Sequence, residues 1–174
     1  YAEAIERLMI NHVFAAQDVE TGVCRYHTPP NGTKPDGYFH GPDCCTASGH
    51  RLISLIPAFF FAENGDDFYI NQYLTCQYLG KDFSFELTGN YPESEYIEVT
   101  VTSEKKKEKT VNLRIPQWCK APRVTLNGKI LSDIQPGTYL KLTRKWTKGD
   151  KIKIFFPMEP KWIKREHHSD YAYD

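Results

Sequence analysis

The stretch Tyr96–Glu104, YIEVTVTSE, decides how this chain folds. Ile97, Val99 and Val101 alternate with Glu98 and Thr100, the period of two that buries one side of a β-strand and wets the other. The same rhythm continues outward in both directions. Downstream, TVNLRIPQW alternates Val111, Leu113 and Ile115. RVTLNGKIL carries Asn127-Gly128 between two short apolar runs, the strongest local signal for a tight hairpin. TYLKLTRKW and DKIKIFFPM follow, and upstream FYINQYLTC and DFSFELTG read the same way. About seven strands at regular spacing from residue 67 to 163 predict an antiparallel β-sandwich. Lys105–Lys107 then reads as a solvated hairpin tip, since one basic tip makes no nucleic-acid face.

Before residue 67 the pattern changes. YAEAIERLMINHVFAA sets Ile5, Leu8, Met9 and Val13 on one stripe of a helix, with Glu3, Glu6 and Arg7 on a solvated side. A second helix is expected from about Cys44 to Ala62, N-capped by Asp43 and kinked at Pro57, with Leu52, Ile53, Leu55, Ile56, Phe59 and Phe60 as its apolar face. The segment between, DVETGVCRYHTPPNGTKPDGYFHGP, holds four prolines, Pro29, Pro30, Pro35 and Pro42. Loops of that length inside a domain are usually functional or disordered. The fold class is therefore α+β. Residues 1–63 form a helical part with one long loop, 67–163 a sandwich and 164–174 a tail or linker.

Composition narrows the function. Twenty-two Lys and Arg balance twenty-two Asp and Glu, so nothing draws the chain toward nucleic acid or an acidic membrane surface. No apolar run approaches the ~20 residues of a membrane span. Five cysteines without framework spacing argue against a disulfide scaffold. The chain opens inside a helix without a methionine, which suggests a fragment of something longer, and its compartment is not legible. Aromatics at 14% suit a sandwich core. Trp118, Trp146 and Trp162 are read as core and edge, Arg51 as an ion-pairing helix residue, and Asn31-Gly32-Thr33 as a glycosylation-type triplet of the sort that arises by chance.

The chemistry concentrates at Cys44-Cys45. A thiol is a nucleophile only as thiolate, and the free N–H groups at a helix start favour an anion there. The competing reading makes both cysteines small buried filling. A vicinal disulfide is strained. A local zinc set of Cys24, His27, His40, Cys44 and Cys45 is conceivable, although its spacing matches no usual finger. His40 and Tyr26 are candidates for contact with a substrate bound beside Cys44.

Several of these motifs, in this order, resemble the β-L-arabinofuranosidase family of glycoside hydrolases (family 127 and its relatives). YAEAIERLMINHVFAA is similar to its Y-A-D-x-x-E-R-x-L-Y-N helix, and CCTASGHRLISLIPAFFF to its C-C-x-x-N-x-x-R helix. LRIPQW, VTLNG and GTYLKLTRKWTKGDKIKIFFPM resemble its L-R-I-P-x-W, V-N-G and R-x-W-x-x-G-D sandwich motifs. The likeness spans residues 1 to about 163, with Ser48 standing where the commonest pattern has asparagine. It implies a catalytic (α/α)6 barrel, of which this chain would hold two or so helices, followed by the sandwich. It also implies a zinc ion held by a glutamate and three cysteines, with the first cysteine of the pair as nucleophile. Cys44 would then be nucleophile and zinc ligand, and Cys45 a zinc ligand. A Glu-x-Cys ligand pair and an acid/base glutamate would lie upstream of Tyr1, in the missing N-terminal part of the barrel. The expected parent is a retaining hydrolase acting on an oligosaccharide or glycoside with terminal β-L-arabinofuranose or a related sugar. Two alternatives stand beside it: a non-catalytic carbohydrate-binding or interaction sandwich, and a small zinc domain built on Cys24, His27, Cys44 and Cys45.

Overall fold

In a computed structural model, which describes residues 1–26, 44–103 and 107–162, the apolar alternation resolves into two sheets that share one core. Ten strands are present among the described residues: β1 Phe61–Asn64, β2 Asp67–Ile70, β3 Cys76–Leu79, β4 Ser84–Gly89, β5 Tyr96–Val101, β6 Lys107–Arg114, β7 Arg123–Leu126, β8 Lys129–Ile130, β9 Tyr139–Trp146 and β10 Lys151–Phe155. One sheet runs β1-β2-β6-β9 and the other β3-β4-β5-β10-β7-β8. Phe68 and Leu113 from the first meet Phe85, Val99 and Ile154 from the second, all at or near zero exposure. At about 25 cal/mol per Å² of apolar surface, such burial is the main force closing the two sheets.

The sequence rhythm holds in the central strands of both sheets. Ile97, Val99 and Val101 are buried, as are Val111, Leu113 and Ile115. Asn127 and Gly128, at φ 50 and 82, turn β7 into β8 with Leu126 opposite Lys129. Both positive φ values fit the mirror-image turn that matches strand twist. Asp150 anchors this hairpin from below. It accepts from Asn127 Nδ2 at 2.8 Å and from the Thr147 amide at 2.8 Å. Burial pushes its carboxyl up, but these donors and Arg144 hold it below the usual carboxylate range. Trp146, 1% exposed, donates its indole N–H to Lys109 O. The R-x-W-x-x-G-D motif thus supplies a core residue and a turn anchor.

Four expectations change. The sheet pairing is mixed, because β2 pairs with β6 in parallel. Strand period cannot disclose that, since each strand alternates identically whatever its partner. β5 and β6 lie in different sheets and so do not pair as a hairpin, with Lys107 the first residue of β6; Lys105 and Lys106 lie outside the described residues. The second helix, α3, runs Cys44–Leu55 and passes through a 3₁₀ turn, Ile56–Phe59, that has Pro57 in its first positions. Phe61 and Ala62 then belong to β1 and not to that helix. The fourth change concerns Glu3 and Glu6.

The N-terminal helix is α1 Ala2–Leu8, a π-helical turn Met9–Val13, and α2 Phe14–Ala16. Its buried side carries Glu6 and Met9, both 3% exposed, while Leu8 faces outward. The stripe is rotated because Glu6 has a partner 108 residues away. Arg114 Nη2 donates to Glu6 Oε1 at 2.7 Å, and Nη1 to Glu3 Oε2 at 2.8 Å. Tyr91 Oη donates to Glu6 Oε1 at 2.5 Å, and Tyr73 Oη to Arg114 O at 2.5 Å. Arg114 Nε donates to Asn71 O at 2.6 Å. The arginine of L-R-I-P and the glutamates of the first helix are therefore two halves of one buried joint. Met9, Ile56 and Phe60 form a small apolar cluster beside it, and Phe61 packs on both this cluster and the main core.

This joint predicts an alkaline weakness. Burial raises the Tyr73 and Tyr91 phenols far above their ordinary value, and the Glu6 carboxylate raises both further. The unfolded chain releases these protons near pH 10, while the folded chain keeps them. The unfolded state then binds fewer protons, so stability falls as pH rises above about 10, by about 1.4 kcal/mol per pH unit for each such phenol. Urea melts between pH 8 and 11 check this, with Tyr91→Phe expected to show a shallower slope.

Candidate functional site

Cys44 is the first residue of α3 and is exposed. The backbone of Cys45 follows in the same helix, and its side chain lies outside the described residues, as do His27, His40, Asp43 and the Asn31-Gly32-Thr33 triplet. Cys24, Cys44, Cys76 and Cys119 stand as thiols.

A small hairpin over residues 17–25 lies against this helix. Gln17 bridges Cys24 antiparallel, and Asp18 N–H donates to Val23 O at 2.8 Å. The Asp18 carboxylate accepts from the Thr21 amide at 2.9 Å and pairs with Arg25 at 2.7 Å. The Thr21 amide and hydroxyl hold its carboxyl below the usual range. Gly22, at φ 73, closes the turn where an L side chain would be strained.

This hairpin seats on α3 through three contacts. Thr46 Oγ1 donates to Cys24 O at 3.4 Å, and His50 Nε2 lies 3.2 Å from Gly22 O. Gly49 takes the Cys24 side chain against its bare Cα, where a Cβ would lie 2.8 Å from Cys24 Sγ. Cys24 is 3% exposed, and burial pushes its thiol up. It therefore serves as filling between hairpin and helix. Tyr26, two residues on, is exposed, about half of its surface open to solvent. Arg51, expected to pair with an acid, donates to Ser48 Oγ at 3.1 Å one turn earlier on the helix.

The seat is testable. Gly49→Ala gains about 1 kcal/mol of helix propensity, while overpacking costs about 1–3 kcal/mol. The hairpin contact is expected to loosen. Reaction of Cys24 with a disulfide reagent, followed by peptide mass, should quicken about ten-fold in Gly49→Ala. An unchanged rate would show that the contact accommodates a methyl group.

Among the described residues, no three His, Cys, Asp or Glu side chains converge as a metal-holding group. The donor chemistry of Cys44-Cys45 still suits zinc, whose tetrahedral sites take thiolates, and Cys44 at an exposed helix start is open to a metal and to a substrate. The pair fits as part of a shell, with the remaining donors coming from elsewhere. The buried Glu6–Arg114 joint escaped the sequence reading. Its only local signal is a glutamate among apolar neighbours on a helix, which also describes an ordinary solvated face.

Comparison with known proteins gives this geometry its context. The family profile described as beta-L-arabinofuranosidase, GH127 middle domain, matches residues 67–158, more than half of the 174-residue chain. A comparison with curated proteins finds no match. Among solved structures, a GH127 beta-arabinofuranosidase is similar at 26% identity and TM-score 0.81, over 91% of this chain and 28% of that one. A GH127 beta-L-arabinofuranosidase from Geobacillus stearothermophilus T6 is similar at 27% identity and TM-score 0.77, over 95% of this chain and 29% of that one. A structure described as a glycoside hydrolase shares the fold at 24% identity and TM-score 0.73. This chain thus spans less than a third of the length of each of these three structures. With a two-sheet core that the profile covers, following the helices that carry Cys44-Cys45, the chain belongs to the GH127 β-L-arabinofuranosidase family.

Proposed function

We propose that this chain is part of a retaining glycoside hydrolase that removes terminal β-L-arabinofuranose or a related sugar, with Cys44 as nucleophile. The observation that carries the reading is the exposed Cys44 at the first residue of α3, in a chain of this family. Helix amides at that end face an anion favourably, and exposure gives a sugar access to sulfur.

Zinc, when bound by Cys44, Cys45 and donors outside this chain, would keep the thiols deprotonated. The Cys44 sulfur attacks the anomeric carbon, and the bond to the leaving oxygen breaks as that oxygen takes a proton from a general acid. Water, giving its proton to the conjugate base of that acid, then displaces sulfur from the same carbon and returns the thiolate. Two inversions give net retention. Tyr26 and His40 would border the sugar.

The general acid and a Glu-x-Cys donor pair would belong to an N-terminal part of the barrel. An apolar stripe on the helices supports such a neighbour: Leu52, Leu55 and Phe59 recur at helical spacing, each between 41% and 50% exposed, and Leu8 is open as well. Uncovered stripes of large apolar residues on helices mark contact surfaces. Without the acid this chain alone is expected to be inert, since general acid assistance is worth about 10²–10⁴ in rate.

Hydrolysis of an aryl β-L-arabinofuranoside by the full-length gene product, followed by NMR of the first-formed sugar, tests the reading. It predicts the β-anomer initially. The α-anomer would place a water where the sulfur should act and would contradict it.

A further inference from the structure

The outer face of the six-stranded sheet carries an ordered set of aromatic and polar side chains. Because Ile97, Val99, Ile152 and Ile154 point inward, Tyr96 and Glu98 of β5 and Lys153 and Phe155 of β10 point out. Register aligns them in rungs. Phe155 lies opposite Tyr96 on one side and Arg123 on the other, and Lys153 lies opposite Glu98 and Thr125. Thr88 of β4 extends the second rung beyond Glu98. One rung is thus aromatic and the next is hydroxyl and charge.

Tyr96 remains 65% exposed although its ring meets Phe155 at 4.6 Å, and Arg123 sits over the Phe155 ring at 4.3 Å. Tyr96 is therefore held by its neighbours on the same face and still open. A shallow groove of about 340 Å³ runs beside it, bordered by Thr88, Gly89, Tyr96, Glu98 and Lys153. Gly89, at φ 132, lets β4 and β5 approach at this end of the groove: a Cβ there would strike the backbone carbonyl oxygen of Tyr96.

We propose that this groove binds a neutral saccharide chain, with Tyr96 stacking on a sugar ring while Thr88, Glu98 and Lys153 bond its hydroxyls. An aromatic ring offers an apolar face to the C–H side of a sugar, and a few convergent polar groups fix orientation. Glu98 is 2.7 Å from Lys151 Nζ and 3.6 Å from Lys153 Nζ, so one carboxylate offsets part of the cationic charge of the two lysines, and the mixed donors and acceptors suit the hydroxyls of a neutral chain. A protein partner would be met at its centre by apolar side chains with charge excluded, and the second rung is the reverse. The site goes beyond the Cys44 chemistry and does not depend on it.

Affinity electrophoresis of the 174-residue chain in gels holding branched arabinan, neutral xylan or polygalacturonate tests the proposal. Retardation is expected in a neutral gel, with the apparent dissociation constant about ten-fold weaker in Tyr96→Ala and several-fold weaker in Glu98→Gln. Circular dichroism should match the parent, since both side chains lie on the surface. Cys44→Ser should migrate like the parent chain, which separates failure of this site from failure of the nucleophile. Equal retardation of Tyr96→Ala, no retardation in either neutral gel, or retardation by polygalacturonate alone would overturn it.

Discussion

Cys44→Ser in the full-length gene product is expected to lower turnover of an aryl β-L-arabinofuranoside by at least about a thousand-fold. Removing a covalent nucleophile typically costs several orders of magnitude, with the remainder coming from binding and electrostatics. A serine at the start of α3 keeps the shape and the local hydrogen bonding, so folding should survive. Its hydroxyl, however, remains protonated where a thiol would ionise. Cys45→Ser should lower activity only as far as metal content falls, whereas Cys44→Ser loses the nucleophile as well as a zinc ligand. Comparable turnover in Cys44→Ser, at unchanged melting temperature, would move the chemistry to another residue.

The second large effect lies far from the sulfur. Arg114→Leu is expected to destabilise the chain by about 3–5 kcal/mol, because it strands a buried carboxylate. Glu6 is 3% exposed and would lose its 2.7 Å partner, and Glu3 and Asn71 O would lose theirs. Arg114 stays charged despite its burial, held above its usual value by Glu6 once the cost of desolvation is met. For a chain of this length the loss corresponds to a fall in Tm of roughly 10 °C. Glu6→Leu combined with Arg114→Leu should recover part of it, since an apolar pair of similar volume is often no worse than a buried ion pair. Urea melts of the two single variants and the double variant would check this. Additive losses would show that the two side chains do not act as one joint.

The physics of legibility differs between the parts of this fold. Ile97, Val99, Val111 and Leu113 could be read because burial on one sheet face imposes a period of two within a few residues. Asn127-Gly128 could be read because its backbone needs positive φ twice in succession. Phe59-Phe60-Phe61 has no period, so the passage from 3₁₀ turn to β1 was hidden in an unbroken apolar run. The parallel β2–β6 pair was hidden for another reason, as no residue in either strand encodes its neighbour's direction. Glu6 looked solvated because its arginine is more than a hundred residues distant. At the site, Cys44-Cys45 stood out by chemistry and motif order, while the packing of Cys24 on Gly49 needed coordinates: a glycine inside a helix pattern says only that something comes close.

The central claim is that sulfur at position 44 bonds to sugar carbon, and trapping that bond tests it most directly. The full-length gene product, incubated with an activated β-L-arabinofuranosyl electrophile, would be digested and sequenced by mass spectrometry. The account predicts one pentosyl adduct on the peptide containing Cys44, absent from Cys44→Ser. An adduct on a carboxylate, with the Cys44 peptide unmodified, would contradict it.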